Sequence, residues 1–521
     1  MDKKMILALV LSIIVLIGWQ ILIVEPQFEE HQRQLAQSQA AEAANMPAAE
    51  EVPMANIPST TLPATPSAVP MEMAATMAAD EFVVFETDGA RLTFSLAGAA
   101  VTSIQLTEHL ADGTGGELVE MLHPRQAAFT TLVAGHLSSM NLERQRFEVV
   151  GRSADAIAFQ TILPDGAILQ KTYHFPRLSE MKIQYRVEGE SASGLLSTIT
   201  TLPSAVITNV KTDTFSYAGM VHKTLDSGLQ KVGSYEDVKA IQDIPNAQFA
   251  GTMDKFFLLA FLPQQGEVFR IFPGNTVQAG GLITSIDRDV IVFYGPKEKS
   301  LLQRYAGLEM DKSIDYGWFG FIAAPLMSLI HWFYALTGNY GVAIILLTVV
   351  IKIVFFPLTH KSYKAMKKIS KLQPEMKKLR EKFKNDPQKM NAAVMELYKT
   401  NKANPMSGCL PILVQIPVFF ALYQSLLNAI ELRHAPFALW IQDLSAADPY
   451  YITPVIMGAT MFLQQKLTPS AMDPTQQKIM LALPVVFTFL FFGFPAGLIL
   501  YWIVNNVLSI AQQYYINKKA D

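Results

Sequence analysis

The chain has 521 residues, half of them hydrophobic, with 42 Lys+Arg against 45 Asp+Glu, and its mean hydropathy of +0.23 points to a membrane protein with room for several domains. A single cysteine, Cys409, excludes a disulfide framework and a cysteine-based metal site. The charge is divided: from Ser313 onward 19 Lys+Arg face 10 Asp+Glu, while the first 312 residues hold 23 against 35, so the two halves suit different surroundings.

In chain order, Met5–Val24 is an unbroken apolar run preceded by Lys3 and Lys4, with no small-residue cleavage site close behind it. This predicts an uncleaved transmembrane anchor over residues 1–24 with a cytoplasmic N-terminus. Residues 25–78, rich in Ala, Pro, Glu and Gln, cannot bury a core and read as a flexible linker. From 79 to 312 the pattern turns to short alternating runs with turn residues between them, among them FVVFETDGARLTFSL, RFEVVGRSADAIAFQTILPDGAILQKTYHF and FFLLAFLP. They predict an all-β sandwich on the far side of the membrane. His136, His174 and the Asp254-Lys255 pair in this stretch show no catalytic spacing. Residues 313–337 are aromatic-rich and read as an interfacial amphipathic helix with Trp318, Trp332 and Tyr334 at headgroup depth.

Residues 338–521 read as a five-helix core. Asn339–Leu358 is an apolar run about 30 Å long that contains one charge, Lys352. Burying such a charge is costly, and an intramembrane charge is a functional-site hypothesis. Residues 360–404 form a basic segment: His360–Pro405 carries 13 Lys/Arg and four acids, among them Lys367, Lys368, Lys371, Lys377, Lys378 and Arg380. Met366, Ile369, Gln373, Met376, Leu379 and Phe383, then Met390, Val394 and Leu397, predict two antiparallel helices with a coiled-coil-like seam, bent or broken at Pro374. Leu410–Ile430 and Tyr451–Leu467 are further spans. Ile479–Ile516 is too long for one helix and splits at FGFPAG, Phe492–Gly497, giving six transmembrane helices in all. This split keeps Lys3/Lys4, the basic hairpin, Lys466/Lys478 and Lys518/Lys519 on the cytoplasmic side. Both termini are then cytoplasmic and residues 25–337 periplasmic.

Lys352 lies six residues from the cytoplasmic end of its run, and Gln415, Asn505, Asn506 and Ser509 come to comparable depths on other spans, with Thr348 one turn away. Two readings stay open on the residues alone: a shared wet cavity, or a lysine that snorkels to the headgroups beside ordinary interhelical hydrogen bonds. The basic hairpin is likewise either a face attracted to anionic phospholipids or a docking surface for ribosomal RNA or an acidic partner. No GxxxxGK[ST], metal cluster or nucleophile motif occurs.

The stretches NYGVAIILLTVVIKIVFFPLTHKSYKAMKKISKLQPEMKKLRE, NPMSGCLPILVQIPVFFALYQSL, ELRHAPFALWIQDLSAADPYYITPVIMGATMFLQQKLTP and DPTQQKIMLALPVVFTFLFFGFPAGLILYWIVNN closely resemble the YidC family of membrane protein insertases, in its Gram-negative form with a large periplasmic β-supersandwich domain. The resemblance implies a polytopic inner-membrane insertase and chaperone, not an enzyme and without a cofactor. It would receive nascent membrane proteins, alone or with the Sec translocon; the basic hairpin adds the ribosome and anionic phospholipids as expected partners, with no dedicated nucleic-acid target. Its substrate groove would hold Lys352, Thr348, Gln415, Tyr501 and Trp502, and the depth comparison adds Asn505 to them. The family usually carries arginine at the position of Lys352; lysine keeps the charge and loses the planar fork. The alternative is a secondary transporter with an intramembrane lysine site, against which stands the lack of an internal repeat. A third reading, a membrane-tethered carbohydrate-binding or sugar-modifying β domain, has no catalytic carboxylate pair to support it.

Overall fold

Strands whose residues alternate between core and surface build the β half. The computed structural model describes residues 81–519 apart from 112–115, 123–126, 135–141, 190–196, 204–209, 211–216, 233–237, 275–277, 384–385, 402–409 and 469–473. The expected anchor and linker lie outside the described residues.

The strands form three antiparallel sheets. A nine-stranded sheet runs from Gln230–Lys231 through Gly219–Thr224, Ala247–Met253, Phe257–Phe261, Val290–Pro296, Glu180–Glu188, Ile168–Arg177 and Ala156–Ile162 to Glu148–Arg152. A five-stranded sheet is ordered Gln242–Pro245, Val268–Ile271, Gln278–Ser285, Ser197–Pro203, Thr131–Ala134, and a four-stranded one runs in chain order from Phe82–Thr87 to Leu118–Glu120. All three contribute to one core, for example Phe94, Phe159, Tyr173, Phe269 and Leu282. Phe257–Phe261 is buried at every position. Phe257, Leu259 and Phe261 enter that core, whereas Leu258 and Ala260 pack on the back of the sheet against Leu301, Leu302 and Met310. A strand buried on both faces reads as a continuous apolar run, which explains FFLLAFLP. Alternation also turns Lys171 inward between Leu169 and Tyr173. Its ammonium donates to the carbonyl of Phe129 at 2.6 Å. Burial, only partly opposed by Glu143, lowers its pKa to about 7.

Helical turns over 299–313 lead to α1 (Gly320–Thr337), α2 (Tyr340–Lys371), α3 (Gln373–Lys382), α4 (Pro387–Thr400), α5 (Leu410–Asn428), α6 (Ile452–Leu467), α7 (Pro474–Leu490) and α8 (Ala496–Lys519). Gly338 ends α1 in the left-handed region at φ 65°, and Asn339 caps α2 by accepting from the Val342 amide, so two residues join the helices. Among the described residues α1 and α2 are long and apolar enough to cross a membrane. Of the six expected spans, α2 meets that test, Met5–Val24 is undescribed, and the other four are helices of 19, 16, 17 and 24 residues. α1, expected at the interface, meets it as well. The break expected at Phe492–Gly497 falls between α7 and α8, where the amides of Ala496 and Gly497 donate to the carbonyls of Ala446 and Leu444 at 2.7 and 2.9 Å. Those bonds satisfy N–H groups that a helix start leaves without partners. α1, α2, α5, α6 and α8 share one apolar core, capped by Leu432, Ile441 and Leu444 of the loop after α5.

Candidate functional site

α8 supplies the frame of the site. Asn505, Ser509 and Gln512 recur four and then three residues apart, which places them on one helical face. Asn505 Oδ1 accepts from Gln415 Nε2 of α5 at 2.9 Å, Ser509 Oγ accepts from Lys352 Nζ of α2 at 2.7 Å, and Gln512 Nε2 donates to Thr359 Oγ1 of α2 at 2.6 Å. Ser509 in turn donates to the Asn505 carbonyl at 2.7 Å. The adjoining face of α8 bonds α6: Asn506 Nδ2 to Thr460 Oγ1 at 3.1 Å and Gln513 Nε2 to the Leu467 carbonyl at 2.6 Å. Polar side chains inside a helical core need partners of this kind, because an unpaired one is expensive.

Lys352, Gln415, Asn505 and Thr359, with Ile351 and Phe355, line a cavity of ≈ 20 Å³, room for about one water. Among the described residues no carboxylate pairs with Lys352. Its terminal nitrogen rests on a neutral hydroxyl, so its other N–H groups are left for water or an incoming acceptor.

Thr348, Tyr501 and Trp502, also expected at the site, do not line this cavity. Thr348 is fully buried, and its hydroxyl donates to the Ile344 carbonyl of its own helix at 2.7 Å, which removes it from the cavity. Tyr501 is buried in the shared apolar core with its hydroxyl turned toward Gln415. Trp502 belongs to an aromatic cluster, edge-on to Phe419 at 4.8 Å and to Phe491 at 4.9 Å. Thr359 and Gln512 were not foreseen; continuing the Asn505–Ser509 spacing by three residues finds Gln512.

In the basic segment Lys368, Lys371, Lys377 and Lys378 are exposed and Lys367 is half-buried; the side chain of Arg380 lies outside the described residues. The helix breaks at Leu372, one residue before Gln373, with Pro374 in the first turn of α3. At the break Leu372 takes the seam place expected of Gln373, while Ile369 and Met376 keep theirs. Leu372 is buried with Ile369 against Leu397 and Tyr398, and Gln373, expected in the seam, is exposed. Tyr398 also donates to Met376 Sδ at 3.3 Å. Among the described residues no group of three His, Cys, Asp or Glu is placed to hold a metal ion.

Residues 332–521 match the 60Kd inner membrane protein family and residues 83–329 the YidC periplasmic domain. The membrane protein insertase YidC of Geobacter metallireducens is 39% identical over 99% of this chain and 98% of its own length. That of Geobacter sulfurreducens is 42% identical over 83% and 85%. The chain belongs to the YidC family. A solved structure of an active YidC insertase, with its first transmembrane domain resolved, has a TM-score of 0.40 at 20% identity and covers 84% of this chain and 93% of that one. YidC relatives are named as insertases rather than as enzymes, and they are inner-membrane proteins with a periplasmic domain. The stretch shared with the 60Kd family contains α2 to α8, and so Lys352 and all its partners.

Proposed function

We propose that the chain is a membrane protein insertase that receives hydrophobic segments of nascent inner-membrane proteins in a positive, hydrated groove around Lys352 and releases them sideways into the bilayer. The observation that carries this reading is the Lys352 ammonium, held by a neutral serine among apolar helices with no carboxylate beside it among the described residues. A polar segment that crosses about 30 Å of hydrocarbon unaided is heavily penalised. Water and a fixed cation partway across shorten that path, and the cation attracts acidic residues in the substrate's translocated tail. Gln415 and Asn505 extend the polar wall, and the aromatic cluster around Trp502 offers an apolar flank toward lipid. The process needs no covalent step: partitioning of the substrate drives it, aided by the membrane potential acting on charge.

In the same reading residues 1–24 anchor the chain, 25–78 tether the periplasmic domain, and α1 lies along the outer interface. The lysines of α2 and α3 meet the ribosome or anionic headgroups, and the protein works alone or beside the Sec translocon. The test is depletion of a host's own insertase and replacement by this chain, followed by insertion of a small two-span substrate. Lys352→Glu should slow insertion of an acidic-tailed substrate about tenfold, the effect of a charge reversal worth 1–2 kcal/mol, and leave a neutral-tailed version nearly unchanged. Equal loss for both tails, or no insertion by the stable wild-type chain, overturns the reading.

A further inference from the structure

Away from the groove, a cavity of ≈ 530 Å³ opens where the β half meets the start of α1, within the size range of small-ligand sites. Its walls carry both signs of charge: Lys231, Lys299 and Lys312 against Asp311 and Asp315. Lys231 and Asp315 are taken up by one another at 2.6 Å. Lys299 donates to a neutral hydroxyl, Ser328 Oγ, at 3.0 Å, which leaves its charge unneutralised. Lys312 is exposed, and among the described residues neither it nor Asp311 has an ion-pair partner within salt-bridge distance. The cavity thus presents two available ammonium groups and one available carboxylate.

That set matches a ligand with a phosphate at one end and a primary amine at the other. The rim says where such a ligand comes from. Phe321, on a helix apolar enough to lie in lipid, lines the cavity and is 77% exposed, and Trp318, two residues before that helix starts, is 95% exposed. Exposed aromatic side chains at the end of such a helix sit at headgroup depth. We propose that this cavity binds the headgroup of a zwitterionic aminophospholipid, with its phosphate on Lys299 and Lys312, its amine on Asp311 and its acyl chains on the exposed face of α1. An anionic headgroup without an amine leaves Asp311 facing the phosphate unanswered, and a choline headgroup offers no N–H to it.

The test uses the full chain in phosphatidylcholine nanodiscs doped with brominated phosphatidylethanolamine, phosphatidylglycerol or phosphatidylcholine. The fluorescence lost on quenching is compared with that of Trp318→Phe to isolate Trp318. Brominated phosphatidylethanolamine should quench Trp318 at the lowest mole fraction. Asp311→Asn, at a half-buried carboxylate, and Lys312→Gln, at an exposed lysine, should each raise that fraction roughly tenfold, the loss of one charge-assisted hydrogen bond, with an unchanged melting profile. Equal quenching by all three headgroups means ordinary boundary lipid and overturns the proposal. So does a preference for phosphatidylglycerol that survives Asp311→Asn, which means a plain anion site. Displacement of the lipid by equimolar soluble phosphoethanolamine overturns the membrane source.

Discussion

Lysine at position 352 defines what the candidate groove can recognise. An ammonium is a compact point charge with three donors, and one of them is spent on Ser509. Among the described residues the remaining two meet no acceptor, so the site is suited to attract carboxylates without holding one in a rigid fork. Lys352→Arg should therefore retain insertion of acidic-tailed substrates within about threefold, since the charge survives and only the fork geometry is new. The Gln415–Asn505 bond at 2.9 Å allows a sharper test. Changing either residue to leucine leaves a buried amide without its partner, at a cost of about 1–2 kcal/mol, and changing both should cost less than the sum. Unfolding of the wild type and the three variants in mixed micelles should give a coupling of about 0.6–2 kcal/mol. Simple additivity would mean that the two amides do not support one another.

Helix starts and breaks decide how such residues are brought together. α6 begins after Tyr451, which has no side-chain capping bond and a φ of 57°. Asp448, only 1% exposed, does the capping instead, accepting from the Tyr450 and Thr453 amides at 2.9 and 2.7 Å, the Thr453 hydroxyl at 2.9 Å and Trp440 Nε1 at 3.1 Å. Asp448→Ala should lower stability by about 2–3 kcal/mol, seen as a lower melting temperature in detergent, since several buried donors lose one acceptor. An unchanged melting temperature would show the loop to be held by other contacts. This cap was not legible in the sequence, where Asp448 is one of several acids in a connection. The elements that were legible rest on strong local signals: the apolar run around Lys352, the Phe-Gly-Phe-Pro break before α8, and the alternating strands. The candidate site was legible only as depth. Depth pairs Gln415 with Asn505 correctly, but it cannot say which way a side chain turns. Thr348 therefore looked like a neighbour of Lys352 although its hydroxyl is used on its own helix. The inward lysine of the β core, Lys171, is likewise hidden in the sequence, because nothing about a lysine marks it as facing the core between Leu169 and Tyr173.

Across the molecule, the β half is fastened to the loop after α5 by Arg433. Its Nη2 donates to the Ala111 carbonyl at 2.6 Å, and its guanidinium lies 5.9 Å from the ring centres of both Phe256 and Phe257. His109 stands edge-on to Phe257 at 5.7 Å. Burial first, then the charges of Arg433 and His434, lower the pKa of His109 to about 4 from the usual 6.5. The folded chain thus keeps His109 neutral where an unfolded chain takes up a proton. This contribution to stability is fully present above pH 6.5 and is lost progressively as the pH falls toward 4, to a total of up to roughly 3 kcal/mol. Asp254, in the same turn as Phe256 and Phe257, works the other way. Its carboxyl is raised by burial, so the folded state gains relative stability as the pH falls toward its usual 3.8, which softens the loss at the acid end. Urea unfolding of the full chain from neutral to mildly acidic pH should show the His109 slope. His109→Asn, which keeps a polar side chain but cannot titrate, should flatten it. Arg433→Ala should move the midpoint of the slope upward, because removing the nearby cation lets His109 take its proton sooner. If the wild type and His109→Asn lose stability in parallel, the pH response of this junction lies in another group.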